Sequence, residues 1–222
     1  MGDLLTGAPL EDLAEFTSDP TVRPGPWRRL HEPLGDGIFL DALLAFRGEG
    51  LPIVCFLPSA LHPDNHNNPS FMRHSWVDSL GGANVMVVSD PLIYVNDSLE
   101  GGWLLHPEVD VLGGIVDAVR AVMAGWSVSA ERVLLYGSSL GGFMGIQMGP
   151  HLPGCRVVAE NPQIDFRLFP NERAKRAVEE HLLRTSLDDW HTRHPEQIEA
   201  DRYLARAGHV PHLRIEGVRW FV

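Results

Sequence analysis

Cysteine is nearly absent from this chain: 222 residues hold 2. Cys55 sits inside an apolar run and Cys155 follows Pro153-Gly154 in a loop. Two cysteines cannot make a disulfide scaffold, and neither has a Cys or His at metal-ligand spacing, so both are expected as free thiols. Positive charge is scarce as well. Lys and Arg number 18 against 29 Asp and Glu, giving a net charge of −11, and Lys175 is the sole lysine. There is no basic run and no interleaving of Arg or Lys with aromatics, which argues against nucleic acid or an anionic membrane surface as a partner. No apolar run approaches the length of a membrane span. Met1 to Thr6 lacks a basic n-region and leads into no long apolar stretch, so no signal peptide is expected and the expected location is cytoplasmic. Nothing in the pattern asks for a cofactor or a bound metal.

What is present suits one globular domain with a sizeable core, at 44% hydrophobic and 21% charged residues. Residues 1–36 read as an N-terminal arm, because Pro20, Pro24, Gly25, Pro26 and Pro33 should break any regular element after a short helix near Leu10–Phe16. The domain proper is expected over residues 37–222. Ile38–Phe46 reads as a strand, Arg47–Gly50 as a hairpin-like turn, and Leu51–Leu57 as a buried strand. Val85–Ser89, Val133–Tyr136, Arg156–Ala159 and Leu213–Val218 are further strands, and Phe71–Val77 reads as the start of a helix. Val109–Met123 shows helical spacing, and Asn171–Ala207 is charged and helical in pattern. Strands alternating with helices predict an α/β fold with a mostly parallel central sheet flanked by helices. The irregular, Pro/Asn-rich stretch from Pro58 to Pro69 is polar enough to carry function. His62 and His66 stand at a helical ligand spacing, but Pro63 and the Asn cluster oppose a helix there.

The most informative stretch is Arg132 to Met144. An apolar run, Val133–Tyr136, meets Gly137-Ser138-Ser139-Leu140-Gly141-Gly142 and passes into a short apolar helix. A serine hydroxyl becomes a useful nucleophile when it is held at a strand end where a base can reach it. Such a turn strains the Ser139 backbone and demands small neighbours, Gly137 and Gly141. A second glycine, Gly142, is expected to let the helix pack close to the sheet. The helix points its N-terminus at the site, so the Leu140 N–H can face a developing oxyanion. The arrangement looks like the nucleophile elbow of α/β-hydrolases.

The likeness extends beyond the elbow. Pro69-Ser70-Phe71-Met72-Arg73-His74-Ser75-Trp76, Ser89-Asp90-Pro91, Gly102-Trp103 and Glu160-Asn161-Pro162-Gln163-Ile164-Asp165 occur in an order that resembles a serine esterase-like branch of that superfamily. Its bacterial members are often found near glycan modification. The resemblance covers roughly residues 38–170. It implies acyl-ester chemistry with Ser139 as nucleophile, a second oxyanion N–H from the loop after the buried strand (Ala60 or its neighbour Ser59), and a lid-like role for Asn171–Ala207. It specifies no substrate; the expected class is a small-molecule ester or an acylated glycan.

The departure is at the C-terminus. Superfamily order is Ser, then Asp or Glu, then His, and the His normally follows the last strand. His181, His191 and His194 are expected to be solvated on the charged helical stretch, and His151 to close the elbow helix. That leaves His209 as the expected base, with His212 behind it. Asp165 is the expected acid, with a helix N-cap as its plainer reading; Asp201 and Glu216 are weaker. The function read from these residues is a serine carboxylic-ester hydrolase. An acyltransferase on the same elbow, or a non-catalytic binding module that keeps the fold, are the alternatives.

Overall fold

A computed structural model describes residues 10–20, 27–61 and 69–208. Among these a seven-stranded sheet forms from β1 (Leu10–Glu11), β2 (Arg28–Gly35), β3 (Ile38–Ala45), β4 (Ile53–Phe56), β5 (Asn84–Val88), β6 (Val133–Ser138) and β7 (Arg156–Glu160). Their spatial order is β1-β2-β3-β5-β4-β6-β7. β3 runs antiparallel to β2 and β5, whereas β5, β4, β6 and β7 are mutually parallel.

The central place of β4 follows from its composition. Ile53, Cys55 and Phe56 are buried and Val54 is half-buried, so both faces of the strand must be covered. It therefore pairs with β5 on one side and β6 on the other, and not with β3. Arg47–Gly50 is accordingly a crossover and not the hairpin turn expected from its residues. The prolines near the N-terminus likewise fail to prevent a regular element. Arg28–Gly35 is a strand, and Pro33 is accommodated because the β2–β3 register shifts between Pro33 and Gly35. Asp36-Gly37, both at positive φ, closes the pair as a two-residue turn.

Seven α-helices are described: α1 (Leu13–Ser18), α2 (Val111–Gly125), α3 (Leu140–Met148), α4 (Glu172–Val178), α5 (Leu187–Arg193), α6 (Pro195–Ile198) and α7 (Ala200–Arg206). Asp110 caps α2 by accepting from Gly113 N–H at 2.8 Å. The face of α2 made by Val111, Ile115, Val119 and Val122 is buried in the main core, together with α3 and the inward residues Val133 and Leu135 of β6. The charged stretch expected to be lid-like packs its own apolar face, Val178, Leu182, Leu187 and Trp190, into that same core. The opposite face of the sheet carries a smaller core of Leu43, Phe56, Phe71, Val77, Val85 and Val87. Over it lies a 3-10 helix, His74–Ser79, within the stretch read as the start of a helix. Cys55 and Cys155 are both free, and burial pushes the Cys55 thiol up to about 12. No helix of the described residues is long and apolar enough to cross a membrane.

Candidate active site

The parallel strands β4, β6 and β7 end at one edge of the sheet, and the candidate residues gather there. β6 stops at Ser138 and α3 starts at Leu140, so the whole change of direction falls on Ser139. Its backbone adopts φ 56° and ψ −120°, a conformation that a residue with a Cβ adopts only under strain. Backbone hydrogen bonds hold it there: Ser139 N–H donates to Glu160 C=O at 2.8 Å, and Ser139 C=O accepts from Phe143 N–H at 3.1 Å.

The two flanking glycines are sterically required. A Cβ on Gly137 would lie 2.2 Å from the carbonyl carbon and oxygen of Gly141. One on Gly141 would lie 2.3 Å from Pro58 O. All of these are backbone atoms, which a rotamer change cannot clear. Gly142 approaches Pro162 of the loop after β7, at 3.1 Å from its added Cβ, while Gly145 meets the sheet, at 3.1 Å from Val157. A Cβ on Gly142 would also lie 3.3 Å from Gly137 O of β6, so Gly142 and Gly145 both let α3 pack close to the sheet.

Two backbone donors lie beside this elbow. Leu140 N–H is the first of α3 and has no intrahelical partner. In the loop after β4, Ser59 N–H is taken by Met72 Sδ at 3.3 Å and Leu61 N–H by Glu100 C=O. Neither Leu140 N–H nor Ala60 N–H has an acceptor among the described residues. Ser59 contributes its hydroxyl instead, which donates to Ser138 C=O at 3.0 Å and meets Ser138 Oγ at 2.9 Å. Arg73, at φ 62°, donates from Nη2 to Ser138 Oγ and lies 5.1 Å over the Tyr136 ring. Tyr136 OH donates to Glu160 Oε2 at 2.9 Å. On the far side of the elbow, Gln163 Nε2 donates to Ser139 Oγ.

Asp165 lies two residues beyond Gln163, and its carboxylate is committed elsewhere. It caps the 3-10 turn Phe166–Leu168 through Arg167 N–H at 2.9 Å and accepts from Arg167 Nε at 3.0 Å and Nη2 at 2.6 Å. Burial by itself would raise this carboxyl, but the hydrogen bonds and charge of Arg167 outweigh it and hold Asp165 below the ordinary carboxylate range. Arg167 also reaches Glu199 Oε1 at 2.8 Å and His191 Nδ1 at 3.0 Å, and His191 Nε2 bonds Glu199. His191 is therefore a member of a charged network and not a solvated residue, and His194 packs on Trp190 with ring centroids 4.6 Å apart. His151 ends the 3-10 turn after α3 and bonds Tyr203 OH. Asp201 is exposed. His209, His212, Glu216, His62 and His66 lie outside the described residues.

The structure thus brings Ser139, Leu140 and Ala60 to one strand edge and ties Asp165 to Arg167. Three polar groups at this edge carry no signal that a motif search would flag. Gln163 and Arg73 are single polar residues in loops. Glu100 is buried, with Oε2 accepting from Asn171 Nδ2 at 2.7 Å and Oε1 without a partner among the described residues. Only the fold brings them together.

No protein-family model and no curated protein sequence matches the chain. Solved structures do. A chain of the glycosylation-associated protein complex of Streptococcus agalactiae superposes with a TM-score of 0.60 at 14% identity, over 82% of this chain and 33% of that one. The capsule O-acetyltransferase of Neisseria meningitidis serogroup A, bound to CoA, gives 0.55 at 15% identity, over 78% and 70%. An S-formylglutathione hydrolase from Agrobacterium tumefaciens gives 0.52 at 13% identity, over 86% and 74%. The chain spans a third of the Streptococcus chain's length. At these identities the likeness concerns the fold, and the mostly parallel sheet with a strained serine at the β6–α3 turn agrees with it. The chain has the α/β-hydrolase fold.

Proposed function

We propose that this protein is a serine-dependent acyl-ester enzyme, a carboxylic-ester hydrolase. The observation that carries the reading is the backbone of Ser139 at φ 56°, ψ −120°, between glycines whose Cβ atoms would strike backbone. A fold keeps such strain where surrounding structure enforces it, and a nucleophile lifted clear of its strand is what the strain provides. Ser139 Oγ bonds to the acyl carbonyl carbon while its proton passes to a base. The carbonyl oxygen takes up negative charge, and the N–H groups of Leu140 and Ala60 donate to it. Collapse of the adduct breaks the carbon–oxygen bond to the alcohol, which leaves with the base's proton. Water then repeats the sequence on the acyl-enzyme and releases the acid.

His209 is the base in this reading, with His212 as its substitute. Asp165, whose oxygens accept from Arg167, serves the loop, and the acid that orients the base is left unassigned. Transfer of the acyl group to a sugar hydroxyl in place of water is the second reading, favoured by the fold shared with an O-acetyltransferase. Hydrolysis of a short-chain p-nitrophenyl ester, beside labelling with a fluorophosphonate, tests the proposal. Ser139→Ala should abolish both while leaving the circular dichroism spectrum unchanged. Turnover that survives Ser139→Ala refutes the nucleophile.

A further inference from the structure

Gln163 is the side chain that meets the nucleophile's oxygen, and the chemistry above gives it no task. Nε2 donates to Ser139 Oγ, while Oε1 is buried and has no hydrogen-bond partner among the described residues. An amide takes no proton at neutral pH, so Gln163 does not stand in for the base. Turning the carboxamide over exchanges its atoms and leaves the same situation, one heteroatom on Oγ and the other buried and unpartnered. Native proteins keep few such groups, because an unmet buried acceptor is destabilising. Gln163 also lines an open cleft of about 310 Å³ with Pro162, Ile164, Asp165, Leu168 and Phe169. Gln163 thus borders space that a ligand can enter, and a turn of its side chain would offer Oε1 to a donor there.

We propose that Gln163 determines specificity. Its Oε1 accepts a hydrogen bond from a hydroxyl or N–H on the carbon next to the one that bears the ester oxygen. That selects monoacylated vicinal diols and amino alcohols, the pattern of an acylated sugar or glycerol, over simple alkyl esters. The proposal rests on the reading of Ser139 as the acyl-accepting nucleophile. The distances allow it. From Oγ through the carbonyl carbon and ester oxygen to a vicinal hydroxyl is roughly 4–5 Å, and from Oγ through one amide atom to the other is about the same, so the two oxygens can lie one hydrogen bond apart. The preference arises because a buried polar group left unmet penalises the substrate that lacks the donor.

The test compares glycerol monoacetate with 2-methoxyethyl acetate, which carries an ether oxygen where the first has a hydroxyl. The wild-type protein should show a kcat/KM at least about tenfold higher for the glycerol ester, the cost of leaving one buried acceptor unmet. Gln163→Met, similar in length and without polar atoms, should bring the ratio near one, and Gln163→Glu, which keeps an acceptor, should retain part of the preference. Fluorophosphonate labelling of Ser139 in the wild-type protein checks the nucleophile separately. A wild-type ratio near one, or a ratio unchanged in Gln163→Met, overturns the proposal. If Ser139 is unlabelled and neither ester turns over, the reading of the nucleophile fails, and the side-chain amide resonance of Gln163 then decides the matter without turnover. A shift on adding glycerol monoacetate but not the methoxy ester supports recognition by Gln163; equal shifts, or none, overturn it.

Discussion

Replacing Ser139 by glycine and by alanine separates backbone strain from chemistry. The serine sits at φ 56°, ψ −120°, and a non-glycine residue in such a region stores about 1–3 kcal/mol. Both substitutions remove Oγ and with it the hydrogen bond from Gln163, so that loss cancels between them. Alanine keeps the Cβ and the strain. Glycine relieves the strain but gives the unfolded chain extra freedom, a loss of about 0.4–1 kcal/mol. Because Ser139 is also the residue at which α3 begins, glycine gains a few tenths of a kcal/mol over alanine as an N-cap. The balance favours Ser139→Gly over Ser139→Ala by about 0.3–3 kcal/mol. For a domain of this size that is a Tm roughly 1–12 °C higher, at about 2–4 °C per kcal/mol. Urea unfolding followed by circular dichroism measures it, provided the two m values agree. Both variants should be inactive in ester hydrolysis. A glycine variant no more stable than the alanine variant refutes the claim that the elbow is strained.

Two further outcomes can be stated together. Gly141→Ala should cost about 3 kcal/mol, the upper end for overpacking, because its Cβ would lie 2.3 Å from Pro58 O. Gly81→Ala, whose Cβ would meet nothing within 4 Å, should change stability by less than about 0.5 kcal/mol; equal losses at the two glycines in thermal melts contradict the elbow's packing. Asp165→Asn should destabilise by about 1–3 kcal/mol at neutral pH, the worth of hydrogen bonds to a charged group. Since Asp165 titrates below its unfolded value, its contribution is complete above the ordinary carboxylate pKa of about 4 and is lost as pH falls through the folded value. The gap to wild type should therefore close in acid, and a gap constant from pH 7 down to pH 3 contradicts the Arg167 pairing.

Local order along the chain fixed a good deal before any tertiary contact. An apolar run such as Ile53–Phe56 must be buried on both faces, so β4 is legible as a central strand from its residues alone. The step from Val133–Tyr136 through Gly-Ser-Ser-Leu-Gly into an apolar helix reveals the elbow, because glycine spacing, strand and helix all lie within a dozen residues. The helical spacing over Val109–Met123 is equally local. β2 was less legible: Pro33 suggested a break, and only the partner strand shows that a register shift absorbs it.

The surroundings of Ser139 were decided by the tertiary structure. Asp165 follows β7, a place that suits an acid, and Arg167 two residues on, itself held by His191 and Glu199, takes its carboxylate. Which N–H of the β4 loop remains without an acceptor depends on Met72 Sδ and Glu100 C=O, each distant in sequence from the donor it meets. Gln163 reaches Ser139 Oγ because parallel pairing of β6 with β7 puts the loop after β7 beside the elbow. The sequence by itself determined the sheet class, the central strand and the strained serine, since those follow from periodicity and backbone sterics within single segments. What surrounds that serine, and which of its neighbours are already engaged, depends on side chains brought together from separate loops, and contacts of that kind exist only once the sheet is assembled.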